Sequence, residues 1–192
     1  MGKVLADQLG RELNLPIEWL NIEIHPDTPP QGRSIRELFP AQVVNGMYKN
    51  LNEMGAIYGL KFTAHDLLSN SRPSILLGEY IHLHYPAQED AYHASVFSAY
   101  FSEGKDIGQS KILADLLQKL GIDSNVLANA LNDPACQIRM KENAQSSAAM
   151  QVTGTPTFFI GNERIVGAQP YPRLLAVARR ALGLDDTNQN DF

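Results

Sequence analysis

The stretch VTGTPTFFIGNERIVGAQ, residues 152–169, decides the fold of this 192-residue chain. Pro156 stands directly before the aromatic run Thr157–Ile160 and has no N–H for a sheet ladder. We therefore expect it at the start of a strand, where a cis bond is one option. Gly161-Asn162 suits a two-residue turn, and residues 164–166 a returning strand. The stretch predicts a β-hairpin that begins with backbone free to pair with another segment.

Helical periodicity surrounds the hairpin. Val4, Leu5, Leu9 and Leu13 recur at helical spacing and predict a first helix over residues 2–14, before Pro16. Residues 17–24 alternate, with apolar side chains on both faces, which predicts a buried strand. Further helices are predicted over residues 41–58, 73–85, 89–101, 109–120, 124–131, 134–150 and 171–182. The order is helix, strand, long helical block, hairpin, helix.

Composition and charge exclude several kinds of partner. The formal net charge is -5, and no Lys/Arg cluster is longer than Arg179-Arg180, so we expect no nucleic-acid and no membrane partner. Cys136 is the only cysteine, which excludes an intrachain disulfide and makes an oxidising compartment unnecessary. No uninterrupted apolar stretch reaches 18 residues. A cytoplasmic protein without a cofactor is the expectation.

Four separate segments, in the right order, resemble one known family. They are LPIEWLNIEIHPDTPPQG (15–32), Asn70-Ser71-Arg72, HASVFSAYFSEGKDIGQSKILADLLQKLGID (93–123) and GTPTFFIGNERIVGAQPY (154–171). On these residues the chain resembles the DsbA-type thioredoxin-like oxidoreductases of the FrnE branch. Their relatives include 2-hydroxychromene-2-carboxylate isomerase and kappa-class glutathione transferase.

The resemblance implies an α/β fold with a thioredoxin-like core and a large all-helical insertion. Residues 1–34 and 151–184 would form the core, residues 35–150 the insertion, and residues 185–192 a disordered tail. In this family the core begins with a strand that leads to a Cys-Pro-x-Cys motif, or to a Ser version in the isomerases. Met1 aligns a few residues after that motif, so the first strand and the CxxC motif are absent from this sequence.

We therefore expect an N-terminally truncated record of a longer protein, with no catalytic residue in the chain itself. An in-frame strand and Cys-Pro-x-Cys upstream of Met1 would support this expectation. Without the first strand, the strand over 17–24 and the hairpin would have unpaired inner edges. The chain alone should then be unstable or self-associating, and a homodimer is among its expected partners.

The resemblance also implies a substrate-binding site. Thr155-Pro156 resembles the dipeptide with a cis bond that faces the active site and binds an extended peptide or glutathione by strand addition. Gly154, Thr155, Pro156 and Asn70 are the predicted substrate-binding residues. Asn70 matches a segment near the substrate pocket of the isomerase relatives, but it suits equally the N-cap of the helix that opens with Pro73.

For the other candidate residues, the sequence favours structural roles. Cys136 alone could be a nucleophile or a resolving thiol, yet single intracellular cysteines are more often inert and buried. His82 and His84 are two residues apart on a helix and point in different directions, so no metal site is predicted. Tyr92, Phe97, Tyr100 and Phe101 could line a substrate groove, although aromatic residues at helical spacing more often form core.

Three functions remain open from the sequence. The first is a thiol–disulfide oxidoreductase that acts on protein thiols and disulfides and is inactive as the bare chain. The second is a redox-inactive module that binds extended peptide or glutathione. The third, a glutathione-dependent isomerase or transferase, would need a Ser in place of the missing first cysteine.

Overall fold

A computed structural model describes residues 1–184, which divide into two compact units. One unit combines residues 1–19 with the chain from residue 151 onward, and the other comprises residues 20–150. The units divide the chain after Trp19, whereas the predicted segments divide it after residue 34. The predicted disordered tail over 185–192 lies outside the described residues.

The first unit contains α1 (Gly2–Leu13), β1 (Thr157–Ile160), β2 (Glu163–Val166) and α8 (Tyr171–Ala181). Each helix buries one apolar face, as the predicted periodicity requires. The buried apolar residues of this unit are Leu5, Ala6, Leu9, Ile165, Leu174, Val177 and Ala178. The two helices and the hairpin thus share one small core.

The hairpin follows the prediction closely. β1 pairs antiparallel with β2, and Ile160 lies opposite Glu163, so Gly161 and Asn162 form a two-residue turn. Gly161 has a φ of 57°, a left-handed conformation that glycine adopts without steric cost. A Cβ at this position would also lie 3.0 Å from the Ala181 side chain. Glycine is therefore needed here for both backbone conformation and packing.

The second unit contains helices joined by loops, with an isolated bridge between Arg33 and Leu68. Its helices are α2 (Ala41–Gly55), α3 (Arg72–His84), α4 (Glu89–Phe97), α5 (Ser110–Lys119), α6 (Val126–Asn132) and α7 (Pro134–Ala149). A π-helical turn, Ser98–Ser102, follows α4, and a 3-10 turn, Ala56–Tyr58, follows α2. A core formed by α3 to α6 includes Leu77, Ile81, Tyr92, Leu113 and Leu117. The helical block predicted from periodicity is confirmed.

The predicted strand over residues 17–24 is wrong. This segment carries no strand assignment, and the sheet of residues 1–184 contains β1 and β2 only. The alternation of apolar side chains suits a strand, but a strand also requires a neighbouring strand to which it can hydrogen-bond. None of the described residues supplies that neighbour. Two side-chain contacts stabilise part of this segment instead. Asn21 donates a hydrogen bond to Glu79, and Glu23 forms an ion pair with Arg72.

None of the helices within residues 1–184 is both long enough and apolar enough to cross a membrane.

Candidate functional site

Pro156 begins the hairpin in a distinctive backbone geometry. The Thr155–Pro156 peptide bond is cis. The Pro156 carbonyl accepts a hydrogen bond from the Gly167 N–H at 2.8 Å, which extends the hairpin ladder by one step. The Thr157 hydroxyl donates to the Gly154 carbonyl at 2.7 Å. The predicted residues Gly154, Thr155 and Pro156 therefore form one connected turn at the start of β1.

The register of the hairpin identifies the groups that point away from it. In an antiparallel ladder, alternate residues direct their N–H and C=O groups to opposite sides. Pro156 bonds with Gly167, so Phe158 and Ile160 face β2, and Thr157 and Phe159 face the other way. Within residues 1–184 no strand lies on that side of β1. The edge formed by Thr157 and Phe159 is thus available for strand addition.

The first turn of α1 packs directly on Pro156. A Cβ built at Gly2 would lie only 2.7 Å from the Pro156 Cβ, so no larger side chain fits without movement. The first turn of α1 therefore covers one side of the Pro156 turn.

Asn70 belongs to the helical unit, and both the oxygen and the nitrogen of its side-chain amide form hydrogen bonds. Its Oδ1 accepts a hydrogen bond from the Arg72 N–H at 3.0 Å, and its Nδ2 donates to the Thr28 carbonyl at 2.7 Å. It thus bonds to the first N–H of α3 and ties this end of the helix to the loop at Thr28. The N-cap of α3 is Ser71 rather than Asn70, but the two hydrogen bonds favour a structural role for Asn70 over a substrate contact.

Cys136 lies in the core of the helical unit with no exposed surface. Burial, with the negative charges of Asp133 and Glu79 as smaller causes, raises the pKa of its thiol to about 11. Only a thiolate attacks a disulfide or carbonyl, and at neutral pH this thiol stays protonated. The structure supports the inert role that the sequence favoured for Cys136.

A buried carboxylate, which the sequence analysis missed, stabilises the helical unit. Glu79 on α3 is 1% exposed. Its Oε1 accepts hydrogen bonds from Asn21 (2.9 Å) and Asn143 (3.0 Å), and its Oε2 from the Arg139 guanidinium at 2.7 Å. We call these four residues the Glu79 cluster. One signal could have revealed it: Glu79 stands alone within the apolar run LLGEYI, and buried charges require partners.

Two histidines and two tyrosines of the helical unit have ordinary partners. His82 lies 3.1 Å from Glu89, and His84 lies 3.8 Å from Asp133. Across residues 1–184 no group of three or more His, Cys, Asp or Glu is arranged to hold a metal ion. The Tyr92 hydroxyl, deep in the core, donates to the Ser74 carbonyl, and the Tyr100 hydroxyl donates to the Leu67 carbonyl. Both tyrosines are thus held by packing and hydrogen bonds.

Comparison with known proteins agrees with this architecture. A solved structure of 2-hydroxychromene-2-carboxylate isomerase superposes with a TM-score of 0.69 over 95% of this chain and 86% of that one, at 23% identity. A Nitrosomonas europaea structure, described as a proposed protein disulfide isomerase, superposes with a TM-score of 0.59 over 74% of this chain and 73% of that one, at 18% identity. At these identities the likeness shows the fold.

The hairpin, its preceding proline turn and the adjoining helix define a thioredoxin-like protein. The DsbA-like thioredoxin domain model matches residues 2–177, nearly the whole chain. The chain belongs to this family. An uncharacterised Bacillus subtilis protein, YwbO, is 22% identical over 172 residues, which are 88% of this chain and 83% of that protein.

Proposed function

We propose that this chain is the substrate-binding part of a thiol–disulfide oxidoreductase and that it binds extended polypeptide at Thr155, next to Pro156. The observation that carries the proposal is the position of Thr155, an exposed residue directly before the proline turn and just outside the β1–β2 ladder. An extended peptide would pair with the backbone at Thr155, which leaves the edge at Thr157 and Phe159 to the first strand that the family resemblance implies. Family membership supports the choice of protein thiols and disulfides as substrates.

The proposed chemistry needs thiols that these 192 residues do not contain. In thiol–disulfide exchange a thiolate attacks a disulfide and forms a mixed disulfide, and a second thiolate then displaces the first sulfur. The sequence has one cysteine, Cys136, and it is buried and protonated. We propose that the reactive pair of thiols is supplied from outside these 192 residues and that the bare chain is inactive. Its single protonated thiol needs no oxidising compartment, which supports a cytoplasmic location.

A second candidate is a glutathione-dependent isomerase or transferase. The observation that favours it is the structural likeness to 2-hydroxychromene-2-carboxylate isomerase. A redox-inactive binding module would use the same backbone at Thr155 without any reaction.

Binding of a cysteine-free extended peptide to the purified chain tests the proposed site. We expect binding to be lost in Pro156→Ala and retained in Pro170→Ala, a matched proline substitution in the same unit. Fluorescence polarisation with the labelled peptide measures both.

Backbone methylation of the peptide tests strand addition itself. Two peptides of identical sequence carry N-methyl groups at alternate positions, one set in odd and one in even register. Because only alternate N–H groups of an added strand face the sheet, one peptide should bind and the other should not. Equal binding of both would contradict strand addition at Thr155. Binding of glutathione with no binding of either peptide would favour the second candidate.

A further inference from the structure

Helix α2 has two apolar faces, and only one of them is used within the chain. The inner face carries Val44, Tyr48 and Leu51, which are buried or half-buried. Nearby, the Asn52 side chain exchanges hydrogen bonds with the backbone of Phe62 at 2.8 and 2.9 Å. Val44 and Gly55 are the helix's buried residues, although it is 15 residues long. Two buried residues are few for this helix, because helices of this length are only marginally stable in water without tertiary packing.

The outer face of α2 carries an exposed apolar stripe, formed by Val43, Met47, Met54 and Ile57. The first three are 43–46% exposed, and Ile57 on the following 3-10 turn is 83% exposed. At 3.6 residues per turn the stripe lies roughly 100° around the axis from the inner face. No charged side chain interrupts it, and a Cβ at the adjacent Gly46 would meet nothing within 4 Å. The stripe is therefore open to another molecule.

The spacing of the stripe is that of a helix that packs against another helix. Positions 43, 47, 50, 54 and 57 alternate steps of four and three residues, which is the 3.5-residue repeat of a coiled-coil seam. Asn50 is its one polar member, the kind of residue that sets register at some cost in stability. The stripe thus fits a partner helix better than a small ligand.

We propose that the stripe pairs with the stripe of a second copy of this chain, antiparallel and about a two-fold axis. With the axis between Met47 and Asn50, Val43 of one copy meets Met54 of the other, and Met47 meets Asn50. The exposed Leu38 and Phe39, just before α2, then lie near Ile57 of the second copy. One surface thus complements itself, as an isologous interface requires.

The charge of this segment agrees with a second copy as the partner. Residues 35–58 contain two cations and two anions, Arg36, Glu37, Lys49 and Glu53, so the surface has no net charge that would oppose self-association. The antiparallel arrangement also aligns the helix macrodipoles favourably. The contact involves seven residues of each copy, which is fewer than the about 20–30 residues a side of a standard interface, so a weak dimer is expected. We expect a dimer with a Kd on the order of micromolar.

Two matched glutamate substitutions test the interface. Ile57→Glu lies on the stripe, and Ile138→Glu makes the same change at a 56% exposed position on α7. Sedimentation equilibrium should show a Kd raised by at least roughly 100-fold in Ile57→Glu, because each dimer loses two buried isoleucines. Ile138→Glu should leave the Kd unchanged. Circular dichroism and a thermal melt check that both variants fold, and Met54→Lys provides a second stripe variant.

Cross-linking tests the orientation. A short bis-maleimide should join Asn50→Cys chains, because these positions lie close to the two-fold axis. It should not join Ile57→Cys chains, since their cysteines would be about 25 Å apart along the axis at 1.5 Å per residue. Efficient cross-linking of both would overturn the antiparallel arrangement.

Three results would overturn the dimer itself. In the first, the wild-type chain is monomeric at a concentration roughly 100-fold above the expected Kd. In the second, both glutamate substitutions raise the Kd equally. In the third, an apolar peptide binds to the stripe of a monomer. The peptide-binding experiments at Thr155 are independent of all three, so either proposal can fail alone.

Discussion

The backbone at Pro156 and the carboxylate of Glu79 use their hydrogen-bonding capacity in opposite ways. Along β1, Thr157 and Phe159 direct N–H and C=O groups to a side where the described chain provides no strand. In the Glu79 cluster, three donors occupy both carboxylate oxygens of a residue that water cannot reach. The first region keeps its polar groups available for a further strand, and the second satisfies them internally.

This difference separates binding residues from structural ones in a chain that contains both. A buried charge or amide whose hydrogen bonds are all made within the protein contributes to stability and has no donor or acceptor left for a ligand. Exposed backbone whose N–H and C=O groups lack a partner strand can bind one. By this criterion Pro156 and its neighbours form the candidate site, whereas Glu79, Cys136 and Asn70 hold the helical unit together.

The largest expected effect is the loss of the Glu79 carboxylate. Glu79→Ala removes the acceptor of Arg139, Asn21 and Asn143 and leaves their donors unpaired. Breaking a buried pair in this way costs about 3–5 kcal/mol, and we expect the lower end because the Arg139 side chain is 34% exposed. Urea denaturation measures the loss. Glu142→Ala, an exposed substitution on α7 next to Asn143, is the control, and a loss below about 1 kcal/mol in Glu79→Ala would contradict the structural role.

The reactivity of Cys136 gives the next largest effect. The thiol has a pKa of about 11, against an ordinary value of 9.0, so its thiolate fraction near pH 8 falls by roughly 100-fold. We expect iodoacetamide to alkylate the native chain at least that much more slowly than the urea-unfolded chain. Mass spectrometry of quenched samples follows the reaction. Similar alkylation rates in both states would instead make Cys136 a candidate nucleophile.

Replacing Asn70 tests whether a predicted binding residue is structural. Asn70→Ala removes the bonds to the Arg72 N–H at the start of α3 and to the Thr28 carbonyl, and we expect a loss of about 1 kcal/mol in the free energy of unfolding. Binding of the extended peptide should be unchanged. A variant of wild-type stability with weakened peptide binding would instead support the substrate contact.

The smallest effect is expected from His65 and depends on pH. Burial lowers the pKa of this imidazole below 6.5. The backbone hydrogen bond at Tyr100 and the charge of Asp66 oppose the shift, while the Tyr48 ring packs against the imidazole. The unfolded state therefore binds the proton more tightly than the folded state. The contribution of neutral His65 is complete above pH 6.5 and is lost as the pH falls through that value toward the folded pKa.

Protonation would also remove the Nδ1 acceptor of the Leu67 N–H. Unfolding free energies of the wild type and His65→Gln at pH 7.5 and 5 measure the effect. The decrease on acidification should be smaller in the variant, while His25→Gln, in an exposed loop, should behave as the wild type. An identical pH dependence in all three chains would exclude a role for His65.

Local patterns predicted most of the fold. Each helix of the block appears within a few residues of its predicted bounds, because periodicity and the proline and glycine signals act over one or two turns. The hairpin was equally predictable, since Gly161-Asn162 fixes its turn. The strand over residues 17–24 failed because strand pairing depends on a neighbour that a local pattern does not reveal.

The candidate site was only partly predictable. Pro156 and its turn followed from residues 152–169, and the likeness to a family added their role. The close approach of Gly2 to Pro156 joins residues from opposite ends of the chain, and no spacing rule predicts it. Similarly, the partners of Glu79 lie 58 to 64 positions away in sequence.

By itself, then, the sequence determined the order of helices, the hairpin, the proline turn and the presence of a single cysteine, because each depends on short-range chemistry. The tertiary structure decided which polar groups are satisfied and which remain open. It buried Cys136, engaged both sides of the Asn70 amide and surrounded Glu79 with donors, while it left the β1 edge and the outer face of α2 exposed. The physical reason is that burial and hydrogen-bond satisfaction depend on residues distant in sequence, which only the folded chain brings together.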